Sequence, residues 1–144
     1  AIIAEWHEMP LCAYAETIPF KPGARQFLWK LSSCGIRLAL ATAANPEYYF
    51  PALRRCGVLS CFEIFVHSRP GLYKGNAAFY LHCARQLNVP AAECVVFEDV
   101  YKGIVAAKEA GMYAVAVADP QSAMKRKDLE GVADRYIETF EDLL

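Results

Sequence analysis

CVVFEDVYKGIVAAKEAGMYAVAVADP, residues Cys94 to Pro120, decides how the chain folds. Cys94, Val95, Val96 and Phe97 form an unbroken apolar run that ends in two adjacent carboxylates, Glu98 and Asp99. The pattern then changes to a helical period, and beyond Gly111 a second apolar run begins. Strand, acidic turn, short helix, strand is the order found in a parallel sheet that binds ligands at its carboxyl edge.

Working outward, the same alternation continues in both directions. Downstream, residues Asp119 to Gly131 predict a surface helix whose KRKD cluster is a solvated face. Asp134 to Ile137 predicts a short edge strand, and Thr139 to Leu144 a last helical turn anchored by Phe140 and Leu143. Upstream, a helix from about Asn76 to Leu87 turns Phe79, Tyr80 and Cys83 or Leu87 inward, after a glycine-rich polar loop, HSRPGLYKG, at 67–75. Phe62 to Val66 is a strand, and Pro46 to Arg55 a helix with Asn45 and Pro46 as N-cap and first residue. Pro51 is expected to kink or divide that helix. Ile36 to Thr42 is a strand, and Ala24 to Cys34 an amphipathic helix stopped by Gly35. Thr17 to Gly23 is an extended connector, and residues 1–16 place Ile2, Ile3, Trp6 and Met9 on one helical face. The fold class is α/β, with an open parallel sheet and helical crossovers.

Bulk properties exclude several functions. The 144 residues, 56% of them hydrophobic, suffice for one core covering both faces of a sheet. A net charge of -1 gives no electrostatic reason for nucleic acid or an anionic membrane as partner. Apolar runs stop well short of membrane-spanning length. No basic leader precedes a hydrophobic stretch, so the expected location is cytoplasmic. The six cysteines show neither a CxxC pair nor zinc spacing and read mostly as buried small hydrophobes in a reducing compartment.

Four polar features fall at or beyond strand carboxyl ends. Thr42, followed by the small residues Ala43 and Ala44 at a helix entrance, offers a hydroxyl beside free helix N–H groups, a place for an oxyanion; a threonine at a strand end is also ordinary. Lys74 can neutralise charge developing on a phosphoryl group, though loop lysines are commonly just solvated. Glu98 and Asp99 would repel each other unless a cation sits beside them, and hard oxygens without His or Cys favour Mg²⁺. The alternative is a pair of turn carboxylates capping the helix that begins near Tyr101, and Asp99 could do both. His7, His67 and His82 are too dispersed for a metal set. Hydroxyl, lysine and carboxylates in this order form a phosphoryl-transfer constellation that lacks a nucleophile. Thr42 has no adjacent base, and Cys94 lies at the opposite end of its strand.

With these residues in view, the sequence resembles the haloacid dehalogenase-like hydrolase superfamily, in its β-phosphoglucomutase-like and phosphatase branch. The resemblance rests on PGARQFLWKLSSCGIRLALAT, on Lys74 followed by a helix ending LNVPAAECVVFED, on KGIVAAKEAGM and on VAVADP. It implies a three-layer Rossmann-like core over residues 17–144 and a remnant of a cap-domain helix over 1–16. It also implies that Thr42 and Lys74 contact the transferring phosphoryl group, that Ala43, Ala44 and less firmly Asn45 border it, and that Glu98 and Asp99 hold Mg²⁺. The chain departs from the pattern in GNAAF after Lys74 and in Val100 after the acidic pair. A larger departure is that no aspartate precedes Asp99. The family opens on a strand with an aspartate nucleophile and, two residues on, an aspartate acid/base, and that strand lies between those at Ile36 and Cys94. Its absence is expected to leave two facing rows of sheet hydrogen bonds unpaired. Accordingly the chain is expected to be the carboxyl-terminal part of a Mg²⁺-dependent phosphatase acting on a small phosphorylated metabolite through an aspartyl-phosphate, inactive by itself. A sugar-phosphate mutase and a non-catalytic binding domain are the alternatives. The gap would be closed by a missing N-terminal segment, by direct strand pairing or in a homodimer.

Overall fold

Apolar runs of three to five residues, separated by amphipathic segments, fold in the computed structural model into short parallel strands joined by helices. It describes residues 11–122 and 125–144. The strands are β1 (Ala39–Thr42), β2 (Ile64–His67), β3 (Val95–Glu98), β4 (Tyr113–Val117) and β5 (Arg135–Ile137). The helices are α1 (Ala24–Ser33), α2 (Pro46–Arg55), α3 (Ala77–Leu87), α4 (Tyr101–Glu109) and α5 (Arg126–Glu130). Every strand pair is parallel, as the crossover helices require.

The sheet is in two pieces. Among the described residues β1 pairs only with β2, Thr42 opposite His67, and β3, β4 and β5 form a separate sheet in that order. No strand precedes Ala39 among the described residues, and β1 and β3 do not pair with each other. The unfilled central position expected from the sequence is therefore present, and direct pairing does not close it.

Packing holds the two pieces together across this gap. On one face a single core joins Ala41, Ile64 and Val66 of the first sheet to Val96, Ala114 and Ala116 of the second, under Phe79, Tyr80, Ile104 and Ala107 of α3 and α4. On the other face the core is divided. Tyr49, Leu53 and Val58 pack on β1 and β2, while Val115, Val117 and Ile137 pack with Phe97 and Phe140. α1 straddles that division: Leu28 packs in the first cluster, and the Phe27 ring meets Phe97 edge-on at 5.3 Å. β4 is buried from Ala114 onward, whereas in β3 Val96 and Phe97 are only partly buried.

Several local expectations are corrected. β1 begins at Ala39 rather than Ile36, whose side chain is exposed. α2 continues unbroken through Pro51, whose missing N–H would have met Glu47 on the exposed side. Asn45 adopts extended backbone before α2 but makes no side-chain cap. Among the described residues of 119–131 the expected helix is limited to α5, and Asp119 accepts from the Gln121 N–H at 2.8 Å and holds a turn at the start of the stretch. Only Cys61 and Cys83 of the six cysteines are buried; Cys12 and Cys34 are exposed. The helical face through Ile2, Ile3, Trp6 and Met9, and His7 with it, lies outside the described residues.

Candidate active site

The carboxyl ends of β1, β3 and β4, and the loop after β2, converge at one edge. Glu98, the last residue of β3, is the one charged side chain in the core among the described residues. A buried carboxylate needs partners. Its Oε2 lies 2.8 Å from Lys74 Nζ, and its Oε1 accepts from the Val100 N–H at 3.2 Å. Room for it comes from Gly103 in the first turn of α4. A Cβ there would stand 2.6 Å from Glu98 Cδ and 2.7 Å from Cγ.

Lys74 is aimed by its loop. A tight reversal pairs Arg69 with Leu72 in both directions, and Gly71 and Gly75 take positive φ on either side of the lysine. The Lys74 N–H donates to Ser68 Oγ at 2.9 Å, while the Ser68 N–H donates to the Thr42 carbonyl at 3.0 Å. Ser68 thereby stitches the lysine loop to the end of β1.

Thr42 itself turns to its own backbone. Its Oγ1 accepts from the Ala44 N–H at 3.0 Å, so that N–H is engaged rather than free. Thr42 also lines a cavity of about 220 Å³ whose other walls, among them Ile18, Phe20, Leu40, Tyr49 and Leu53, are apolar.

Asp99 goes elsewhere than Glu98. It does not cap α4; it lies 3.5 Å from Lys21 Nζ, which also meets Asp119 at 3.1 Å and donates to the Ala118 carbonyl at 3.0 Å. The Gln121 N–H first, then Lys21, hold the Asp119 carboxyl below the usual carboxylate range. The site therefore contains two ion clusters, Lys74 with Glu98 and Lys21 with Asp99 and Asp119. Among the described residues no three His, Cys, Asp or Glu side chains are grouped to hold a metal ion.

Tyr80 of α3 completes the surroundings. Its side chain is buried, and among the described residues no partner lies within hydrogen-bond distance and angle of its hydroxyl. Burial first, then the charge of nearby Glu98, push its phenol well above the ordinary range. Cys83, one turn along, is pushed up to about 11 chiefly by burial and stays an unreactive thiol at neutral pH.

Of the residues singled out in the sequence, Lys74 and Glu98 are brought into contact, Thr42 is tied to Lys74 through Ser68, and Asp99 faces Lys21. Lys21, Ser68, Tyr80, Gly103 and Asp119 were not singled out as site residues. Only Asp119 carried a signal of the kind used for Asp99, a carboxylate just beyond an apolar strand.

The chain is similar to known proteins over most of its length. Residues 2–111 match the profile of the haloacid dehalogenase-like hydrolase family. The chain is 34% identical over 109 residues to the phosphorylated carbohydrates phosphatase of Thermotoga maritima, covering 74% of this chain and 50% of that one. It is 33% identical over 102 residues to the beta-phosphoglucomutase of Bacillus subtilis, covering 69% and 44%. The crystal structure of CbbY from Rhodobacter sphaeroides in complex with phosphate superposes with a TM-score of 0.84 at 26% identity, over 99% of this chain and 66% of that one. The chain spans about half the length of the curated relatives it matches. With the family profile running from Ile2 to Gly111, this chain belongs to the haloacid dehalogenase-like hydrolases.

Proposed function

We propose that this chain supplies the phosphoryl-binding and metal-binding half of a Mg²⁺-dependent phosphatase that acts on a small phosphate monoester. In the working enzyme the slot between β1 and β3 is occupied by a further strand that brings the aspartate nucleophile. The observation that carries this reading is the Lys74–Glu98 pair, fixed at the sheet edge beside that slot. The 34% identity to a phosphorylated carbohydrates phosphatase supports the reaction class.

Each residue has a task that its surroundings support. Lys74 turns from Glu98 to the phosphoryl oxygens and offsets the charge that builds on them. Thr42 offers its hydroxyl to the same oxygens, and the Ala43 and Ala44 backbone borders them at the entrance of α2. Glu98 and Asp99 are hard oxygen donors at one strand end and would hold part of a Mg²⁺ shell of about six oxygens, the remainder being left to substrate, water and the added strand. Mg²⁺, when bound, supplies charge stabilisation at the transferring phosphoryl group. Lys21, 3.5 Å from Asp99 and 3.1 Å from Asp119, would keep Asp119 as its partner if Asp99 held the metal.

The test is hydrolysis of p-nitrophenyl phosphate with Mg²⁺ by the 144-residue chain, alone and with a synthetic apolar strand peptide ending in Asp-x-Asp. No turnover is expected alone. Turnover with the peptide should fall about 10²–10³-fold in Lys74→Met and be lost in Asp99→Asn. Hydrolysis by the chain alone that disappears in Asp99→Asn would overturn the requirement for an added strand. Failure of the peptide to restore any turnover, with strand insertion shown by peptide binding, would overturn the phosphatase reading. Because the chain also matches a beta-phosphoglucomutase, the restored enzyme should be offered a sugar 1-phosphate; phosphate release rather than isomerisation is expected.

A further inference from the structure

We propose that Lys21 is a tethered counter-cation of the Asp99 carboxylate and sets how tightly that carboxylate takes a divalent ion. The inference rests on the reading of Asp99 as a metal ligand, and it gives a task to a residue outside the phosphoryl-binding set.

The backbone that carries Lys21 is fixed. The Ala24 N–H donates to the Lys21 carbonyl at 3.0 Å and closes a tight turn at the entrance of α1. The Phe140 N–H donates to the next carbonyl, that of Pro22, at 3.0 Å. Gly23 packs so closely on the same segment that a Cβ there would stand 2.5 Å from the Glu141 nitrogen. From this anchored turn the lysine stem reaches the carboxyl ends of β3 and β4.

There its ammonium meets three oxygens: the Ala118 carbonyl at 3.0 Å, Asp119 Oδ2 at 3.1 Å and Asp99 Oδ2 at 3.5 Å. A solvated lysine keeps its charged head in water. This side chain is only 33% exposed and spends its charge on the strand ends. Two carboxylates that share one cation would repel without it. Lys21 therefore supplies from within the chain what a metal ion supplies from solution.

A divalent ion drawn to Asp99 has to take that carboxylate from Lys21. Asp119 and the Ala118 carbonyl keep hold of the ammonium, so its charge stays beside the incoming ion. A unit and a double charge a few ångströms apart, even screened by water, correspond to about a tenfold loss of affinity.

The test is Mn²⁺ binding, with Mn²⁺ standing in for Mg²⁺ on oxygen ligands, followed by electron paramagnetic resonance of the free ion. It is measured for the unaltered chain, Lys21→Met, Lys21→Arg, Asp99→Asn and Lys21→Met with Asp99→Asn. Lys21→Met should bind about tenfold more tightly than the unaltered chain. Lys21→Arg keeps the charge and should restore the weaker binding, and adding Asp99→Asn to Lys21→Met should abolish the gain. If Lys21→Met does not fold, Lys21→Gln takes its place. Equal affinity with and without the lysine, lost in Asp99→Asn, keeps Asp99 as a metal ligand and overturns the proposal. Weaker binding in Lys21→Met also overturns it, because the lysine would then organise the site rather than compete for it. A gain that survives Asp99→Asn, or no Mn²⁺ bound by any of these proteins, overturns the metal reading of Asp99 and the proposal with it.

Thermal unfolding gives a second readout. Without metal, Lys21→Met should melt below the unaltered chain, since Asp99 and Asp119 lose the charge they share. The same Mn²⁺ concentration should then raise the midpoint of Lys21→Met by more than it raises that of the unaltered chain, because the tighter ion stabilises more. A lysine that only packs lowers the midpoint equally with and without Mn²⁺, and that result overturns the proposal.

Discussion

Glu98 is secure only because its neighbour across the turn has no side chain. Gly103 is helical, so alanine there is intrinsically favoured by about 1 kcal/mol. The added methyl would nonetheless stand 2.6 Å from Glu98 Cδ, and Glu98 is pinned by Lys74 and Val100. Overpacking should win, and Gly103→Ala should destabilise the chain by about 1–3 kcal/mol in urea unfolding. In a Glu98→Ala background the obstacle is gone, and the same change should become neutral or stabilising by up to about 1 kcal/mol. Equal costs in the two backgrounds would refute the close-contact account. Thr42, Lys74, Glu98 and Asp99 were legible in the sequence because each follows an apolar strand run or sits in a glycine-flanked loop. Gly103 was not, because its importance lies in a close approach to a residue on another element. Lys21 was hidden for the same reason: its partners, Asp99 and Asp119, lie far along the chain.

Between elements, Asp134 joins three at the amino ends of the strands. Its carboxylate accepts from the Ala114 N–H of β4 at 2.7 Å and meets Lys108 of α4 at 2.5 Å, while its own N–H donates to the Ala114 carbonyl at 2.9 Å. The Ala114 N–H first, then Lys108, depress its pKa. The folded state therefore holds the ionised form more tightly than the unfolded chain does. The resulting stability is fully present above the ordinary carboxylate pKa of about 4 and is lost as pH falls through the depressed value. Asp134→Asn should cost about 1 kcal/mol at pH 7, a modest figure because Lys108 is partly solvated. The difference between the two proteins should narrow below about pH 4 in thermal or urea unfolding; a gap that widens on acidification would contradict the sign. At this scale the order of strands and helices could be read from the sequence, since period-3.6 segments and continuous apolar runs report burial directly. The stretch 119–131 could not, because its helical pattern competes with the turn held by Asp119, and among its described residues only Arg126–Glu130 are helical. The KRKD cluster was correctly read as a solvated face: Arg126 pairs with Glu130 and lies 4.6 Å over the Tyr136 ring, while Leu129 alone turns inward.

At the scale of the molecule, the divided sheet makes a prediction amide by amide. The Tyr113 N–H donates to the Cys94 carbonyl, so Cys94, Val96 and Glu98 direct their backbone groups toward β4. By alternation Val95 and Phe97 direct theirs into the slot. Likewise the Glu63 and Ser68 N–H groups donate to the Leu38 and Thr42 carbonyls, which turns Leu38, Leu40 and Thr42 toward β2 and leaves Ala39 and Ala41 facing the slot. Helix packing from α1 and α3 holds the halves together, but it cannot supply hydrogen bonds to these groups. In hydrogen exchange of the isolated chain, the amides of Ala39, Ala41, Val95 and Phe97 should therefore exchange on the order of a hundredfold or more faster than those of Leu40, Val96 and Val115. A strand that enters the slot must pair with both edges at once, because a central parallel strand donates and accepts on each side. Binding of the complementing peptide should then protect all four amides together and leave the β4 amides unchanged. Protection of the β1 pair alone would mean that the peptide adds to one edge without filling the sheet, and the single continuous sheet required for the proposed reaction would not have formed.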